Sequence, residues 1–437
     1  MNGLQKAFFK YTGLNITGMV GLSCYILADT FFVAKALGTV GLAALNFAIS
    51  VYTFMNGIGL MVGIGGATEF SIKKGMGKNG DYIFMQSLLI GGVFAVLLVI
   101  TGLFFSTPLS ALLGADSDAL PLTDLYIKMI CLFSPFYILN NILIAFIRND
   151  SNPNLSMIAM LMSSFSNIVL DYIFMFPLAM GMFGAVLATC LSPIISIGVL
   201  LQHFIKGKNT FRLSKFLLRL SEVKIVMSFG FSTFIGELAS SVALIVFNLV
   251  LMNIQGNVAV AAYGILANIA LVVISIFNGI SQGTQPLASS YYGEQSYKKL
   301  SRILCYALTA SLIFSIVIYA VLLIFTQPIV AVFSGSDALL ESLAVSGTRI
   351  YFTGIFFAAV NILLASFLSA TSKYIPAMII SILRSSVMLV PLVIIFSVLF
   401  GITGVWLSYV ITELLVCVLS VVFTVNMVRG FNIKTCN

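Results

Sequence analysis

Inside Asn154–Phe176, an apolar run about one bilayer long, stand an amide and a carboxylate, Asn167 and Asp171. They are four positions apart, so on a helix they share one face. A carboxylate at mid-helix in a bilayer costs about 2.5–3.5 kcal/mol on insertion scales. A chain that carries one needs a partner or a wet cavity beside it. After a hairpin turn near Pro177–Gly181, the next apolar run brings Thr189 to within a turn or two of Asp171 in depth, counting about 1.5 Å per residue along both arms. Asp29 sits near the outer end of the first run, and Asp171 near the outer end of its own, which runs the same way. The two acids are therefore expected at similar depth. Two carboxylates sharing a low-dielectric pocket repel each other. Such a pair takes up a proton, or binds Na⁺ with Asn167 and Thr189 supplying further oxygens.

The elements that hold these residues follow from composition. Hydrophobic residues make up 60% of the chain and charged residues 8%, against about 25% charged in soluble domains. Mean hydropathy is +1.11. The apolar runs are about 20 residues long rather than alternating tens, which predicts an all-α integral membrane protein. Its 437 residues accommodate twelve transmembrane spans, at 12–34, 42–69, 82–106, 122–147, 154–176, 181–205, 225–252, 258–290, 300–325, 342–368, 376–399 and 402–427. No room is left for a soluble catalytic domain. Of the 22 basic residues, all but Lys35, Lys128 and Arg349 fall on one side of this arrangement, Arg384 counted among them. The positive-inside rule then places both termini in the cytoplasm and the chain, as a multi-pass protein, in the cell membrane. The net charge of +8 is thus a topological signal and not one for nucleic acid.

The sequence repeats. Gly38, Val40, Ala43 and Ala44 align with Gly256, Val258, Ala261 and Ala262; Gly65, Ser71 and Gly75 with Gly283, Ser289 and Gly293. NILIA at Asn141–Ala145 matches NILLA at Asn361–Ala365, and Pro108 and Gly184 match Pro328 and Gly404. The expected organisation is an N-lobe (1–205, spans one to six), a basic linker (206–224) and a C-lobe (225–437, spans seven to twelve). The two six-helix lobes are expected to be related by a pseudo-two-fold axis along the membrane normal. The acids do not repeat: Asp171 aligns with Pro391, Asn167 with Val387, and Thr189 with Tyr409. That asymmetry puts the coupling-ion site in the N-lobe. In the linker, Phe211, Leu213, Phe216, Leu217, Leu218 and Leu220 interleave with basic residues, as in an amphipathic helix lying on the inner leaflet.

Other polar residues inside spans are candidates for a substrate cavity. Glu237 and Glu413 would attract a cation or take a proton. Tyr25 is one turn before Asp29 on the same face, and Gln282 and Gln285 flank Pro286. Pro135, Pro193, Pro286 and Pro391 imply kinks. The six cysteines form no C-x-x-C pair, so neither a metal site nor a disulfide is expected. His203, the single histidine, stands at a span end with no catalytic set around it. Gly77-Lys78 and Gly207-Lys208 are each followed by Asn and complete no phosphate loop. No cofactor is expected, and the energy must come from an ion gradient.

The pattern resembles the multidrug and toxic compound extrusion (MATE) transporters. The features carrying the resemblance are the 6+6 halves, Ala28-Asp29-Thr30-x-x-Val33-Ala34, Asn167-x-x-x-Asp171, Thr189, and Glu237 in a GxxxxxGE context. It covers about residues 10–428. It implies a non-enzymatic secondary antiporter that exports cationic or amphipathic drugs or metabolites in exchange for H⁺ or Na⁺. Asp29, Asn167, Asp171 and Thr189 would form the ion site, with Tyr25 beside it. Two departures are visible: span one lacks the proline at which some members bend, and Phe356–Ala359 is apolar where the Na⁺-coupled branch carries an acid. The first removes the residue on which that bending mechanism depends; the second favours the N-lobe site and leans the coupling toward H⁺, with Na⁺ as the alternative. The expected partners are small organic cations, the coupling ion and membrane lipid, with a monomer as the working unit. A lipid-linked oligosaccharide flippase of the same superfamily would need a more basic cavity. A membrane-embedded enzyme would need a converging His/Asp or Ser/His/Lys set.

Overall fold

The computed structural model describes residues 3–211, 219–334 and 338–436. Helices make up nearly all of them, and no strand occurs among them. Lipid offers no partner for backbone N–H and C=O groups, so each apolar segment must satisfy its own, as a helix does. Among the described residues, eight helices are long and apolar enough to cross a bilayer, and a ninth crossing is a pair, Leu120–Leu132 and Ser134–Asn149, bent by 51°. The bend falls at Phe133, just before Pro135, whose ring cannot continue the preceding turn.

Three of the eight stretches contain a break at a left-handed glycine: Gly3–Gly75 at Gly38, Leu220–Gly293 at Gly256, and Leu389–Cys436 at Gly401. Each is two spans, and twelve spans result. In order they are 3–37, 39–75, Asp81–Phe104, the bent pair, Pro153–Met175, Gly181–Leu200, 220–254, 257–293, Tyr297–Ser334, 338–370, 374–400 and 402–436. Several helices outrun the apolar runs read from the sequence, because backbone hydrogen bonding continues past the point where side chains turn polar.

The repeat is written in the backbone. Left-handed residues recur in pairs at matching places: Gly38 and Gly256, Gly77 and Gln295, Ser151 and Ser372, Gly181 and Gly401. Gly38 and Gly256 agree in both angles, φ 64 with ψ −152 and φ 64 with ψ −149. An L-residue with a Cβ pays a steric cost there, so the same turn chemistry has been kept twice.

The chain divides into two compact units, Thr17–Glu237 and Met1–Ile16 with Leu238–Asn437. Both cuts fall inside helices, the first and the seventh span. Small residues explain why. In the first unit, a Cβ on Gly65 would overlap the Val226 carbonyl oxygen and one on Gly230 that of Met61, so spans two and seven touch backbone to backbone. In the second, a Cβ on Gly279 would lie 2.6 Å from Ile16 Cα and one on Gly283 2.6 Å from Thr12 Cα, which binds the start of span one to span eight. The first unit has its core around Val62, Ile83, Ile127, Ile142 and Phe146. The second is centred on Phe247, Tyr263, Leu266 and Trp406.

The linker departs from expectation where it is described. Lys206–Phe211 is not helical, and Leu220 already opens span seven. Phe211 is buried, its ring 4.5 Å from that of Phe84 and 5.6 Å from that of Phe146. An aromatic core at the end of the first unit has claimed it from the membrane surface. Residues 212–218, which hold Leu213 and Phe216–Leu218 of the expected surface helix, lie outside the described residues.

Candidate functional site

Spans one and five run parallel and close. A Cβ on Gly18 would lie 2.9 Å from Met160 Sδ, and one on Gly21 2.7 Å from Leu161 Cδ2 and 3.7 Å from Ser164 Oγ. The register they set, 140 to 143 positions, carries forward along both helices and puts Asp29 level with Asp171 and Tyr25 level with Asn167. Asp29 and Asp171 lie near enough to feel each other's charge. The span five–six hairpin supplies the third side. It closes at Gly184, where a Cβ would stand 3.0 Å from Phe174 Cβ. Further down its arms Asn167 Nδ2 donates to Thr189 Oγ1 at 3.3 Å, and Thr189 Oγ1 donates to the Ala185 carbonyl at 3.1 Å. Tyr137 O–H donates to the Thr189 carbonyl at 2.7 Å. Tyr126 stands beside Thr189, Asp29 and Asp171.

Asn167 and Asp171 are fully buried, and Asp29 and Thr189 nearly so. Asp29 Oδ1, Asn167 Oδ1 and both carboxylate oxygens of Asp171 are buried without a hydrogen-bond partner. None of the ion pairs among the described residues includes Asp29, Asp171 or Glu237. A buried charge without a partner is costly enough that the group neutralises itself or acquires a counter-ion. The pocket is thus a set of oxygens whose chemistry is completed by a proton or a small cation.

Tyr25 does not bond to Asp29. Its hydroxyl pairs with that of Tyr52 at 2.7 Å. Glu237, on span seven, belongs to this same unit: Asn56 Nδ2 donates to its Oε2 at 3.4 Å, and Asn141 Nδ2 donates to Asn56 Oδ1 at 3.0 Å. Tyr25, Asp29, Asn167, Asp171, Thr189 and Glu237 are therefore brought into the first unit. Gln282, Gln285 and Glu413 lie in the second.

Glu413 is the acid with a built-in cation. Its Oε1 accepts from Arg384 Nη2 at 2.8 Å and Nε at 3.2 Å, and its Oε2 from Asn361 Nδ2 at 2.7 Å. Ser420 Oγ donates to Asn361 Oδ1 at 2.8 Å. Arg384, counted with the charges of the inner side, stands inside span eleven and is committed to an ion pair. It lies within a π-helical turn, Leu383–Val387, whose extra residue per turn rephases span eleven and aims the guanidinium at span twelve. The two copies of the repeated asparagine do parallel work. Asn361 holds Glu413 directly, and Asn141 reaches Glu237 through Asn56.

A separate polar cluster ties the stretch after span six to the turn between spans four and five. Asp150 accepts from Lys74 Nζ at 2.9 Å, Thr210 N at 2.7 Å, His203 Nε2 at 3.0 Å and the Thr210 hydroxyl. Burial pushes this carboxyl up, but the hydrogen bonds from Thr210, His203 and Lys74 outweigh it and hold it below the usual carboxylate range. His203 Nδ1 faces Asn152 Nδ2 at 3.2 Å. An amide donor there fixes the tautomer with its proton on Nε2, so the single histidine is a structural bridge. The group lines a cavity of about 320 Å³.

Sequence reasoning missed Tyr52, Asn56, Tyr126, Asn141 and Arg384 as parts of these networks. Only the repeat flagged one of them, Asn141, through its match to Asn361.

Compared with known proteins, the chain matches the MatE family over residues 16–173 and 232–395. It is 28% identical over 411 residues to the multidrug export protein MepA of Staphylococcus saprophyticus, covering 93% of this chain and 90% of that protein. To MepA of Staphylococcus aureus strain MRSA252 it is 28% identical over 428 residues, with 97% and 94% covered. Among solved structures, the fold superposes with a TM-score of 0.92 on an outward-facing multidrug resistance MATE family transporter of the MOP superfamily, at 23% identity and 99% coverage of both chains. A MOP superfamily transporter from Pyrococcus furiosus gives 0.92 at 22% identity, again with 99% of both chains covered.

Proposed function

The chain belongs to the MatE family of membrane transporters, which are not enzymes, and on that premise we propose that it is a proton-coupled antiporter exporting small organic cations and amphipathic compounds. The observation that carries the coupling is the Asp29–Asp171 pair. Two buried carboxylates lie within reach of each other's charge, three of their oxygens have no hydrogen-bond partner, and neither acid is in an ion pair among the described residues. Proton uptake neutralises the pair, and proton loss leaves a charge that a cationic substrate can answer. Asn167 and Thr189 hold the pocket's shape, and Tyr25 lines it. Glu237 supplies the negative charge on the substrate side. The similarity to the multidrug export proteins MepA supports a permissive cavity. We place the chain in the plasma membrane as a monomer, both termini in the cytoplasm, with lobes 1–205 and 225–437 joined by the basic linker.

Energetics constrain the exchange. Each tenfold gradient of substrate costs about 1.4 kcal/mol, and 100 mV supplies about 2.3 kcal/mol per net charge moved. A one-for-one swap of H⁺ for a monovalent cation moves no net charge, so the pH gradient alone drives it. The same oxygens would suit Na⁺, and one experiment separates the two. Vesicles containing the purified chain are given a pH gradient and then a Na⁺ gradient, and transport of a fluorescent organic cation is followed. Accumulation under the pH gradient is the expected result. A response to Na⁺ alone would overturn proton coupling, and no response to either would overturn cation export.

A further inference from the structure

We propose that Tyr52 and Asn56 are positioning residues that couple the Asp29–Asp171 pair to Glu237, so that a proton on the pair weakens cation binding at Glu237. This deepens the exchange proposed above and rests on it.

The geometry is a ladder along one face of span two. Tyr52 and Asn56 are four apart and stack on that face. At one end the Tyr52 hydroxyl meets that of Tyr25 at 2.7 Å, and Tyr25 sits one turn below Asp29. At the other end Asn56 donates to Glu237 and is itself held by Asn141. The Tyr52 hydroxyl lies near enough to both Asp29 and Glu237 to feel each charge. Glycines fix these approaches. A Cβ on Gly57 would sit 3.0 Å from the Phe234 ring and 3.5 Å from Glu237 Cβ, and one on Gly59 2.6 Å from Asn141 Nδ2. The Tyr52 ring packs edge-on to Tyr137 with centroids 5.7 Å apart, which leaves its hydroxyl as the part free to choose a direction.

Two hydroxyls that share one hydrogen bond have one donor between them for that bond. When Asp29 and Asp171 are ionised, their field orients both protons toward that end: Tyr52 donates to Tyr25, and the Tyr25 proton turns toward the acids without a direct bond to Asp29. Glu237 then lacks a hydroxyl and answers a cation strongly. When a proton neutralises the pair, the order reverses. Tyr25 donates to Tyr52, the Tyr52 proton turns toward Glu237, and the carboxylate is already solvated. The ladder is a two-state element that both sites bias, the physical requirement for coupling between them. The titratable groups facing it are Asp29, Asp171, Glu237, Tyr25, Tyr126 and Tyr137.

The test is a double-mutant cycle on the purified full chain, read as the dissociation constant for tetraphenylphosphonium at alkaline pH. Asp171→Asn mimics neutralisation of the pair. With Tyr52 present it should weaken binding about tenfold, the size of one charge-assisted hydrogen bond. In Tyr52→Phe, which keeps the ring, the same substitution should weaken it about threefold or less, through the residual field alone. Asn56→Leu, made in case Tyr52→Phe folds poorly, should do likewise. An undiminished ratio in a folded Tyr52→Phe or Asn56→Leu protein overturns the ladder while leaving the exchange intact. Failure of the unmodified chain to bind the cation overturns both.

Discussion

Replacing Arg384 by methionine strips Glu413 of its cation in a place where water cannot substitute. The Glu413 side chain is 3% exposed and that of Arg384 14%. At a charge separation of about 4 Å and an effective dielectric of about 20, the attraction is about 4 kcal/mol. Breaking a buried pair from one side typically costs about 3–5 kcal/mol, so two independent routes agree. Asn361→Ala should cost about 1.5–3 kcal/mol, one hydrogen bond to a charged group, because Arg384 remains. The double variant Arg384→Met/Glu413→Gln removes both charges together, and buried pairs replaced this way are often neutral in stability. It should recover most of what Arg384→Met loses. The chain provides its own probe. Its single tryptophan, Trp406, is 1% exposed and stacked on Tyr263 in the same unit. Trp406 emission during denaturant unfolding in detergent reads the cycle. A loss below about 1 kcal/mol for Arg384→Met, or a double variant as unstable as the single, would refute the argument that this pair is a desolvated charge held by its partner.

Further predictions concern packing and the Asp150 cluster. Gly230→Val should sharply lower the yield of folded protein, since its Cβ would overlap the Met61 carbonyl oxygen and push spans two and seven apart; size-exclusion profiles of the purified variant check this. Asp150 has a folded-state pKa below its unfolded value of about 4. Its stabilisation is therefore complete above about pH 4 and lost as pH falls through the depressed folded value. Asp150→Asn should lower the melting temperature at neutral pH, and the gap to the unmodified chain should close on acidification below about pH 4.

The pocket of Asp29, Asn167, Asp171 and Thr189 was legible because it is local arithmetic. Asn167 and Asp171 follow from helical period, Thr189 from a hairpin count, and Asp29 from two spans running the same way. Gly38 and Gly256 signalled the repeat, and the backbone bears that out in matched left-handed turns. What escaped needed tertiary information. Arg384 and Glu413 are 29 positions apart, and the π-turn that joins them shifts the helical phase on which any face count depends. Tyr52 and Asn56 are common residue types whose meaning appears only when span two meets spans one, four and seven. The burial of Phe211 was invisible because its interleaved pattern suits a lipid surface as well as an aromatic core. Residues 1–16 join the second unit through contacts at Gly279 and Gly283, and a glycine announces close approach without saying to what.

The central claim is that a proton on the Asp29–Asp171 pair drives export. It is tested most directly by cation transport in vesicles under an imposed pH gradient, comparing the unmodified chain with Asp171→Asn. Asparagine keeps the shape of the pocket and removes the proton exchange. The account predicts accumulation by the unmodified chain and its collapse in a folded Asp171→Asn protein. Full gradient-driven transport in that variant would contradict it.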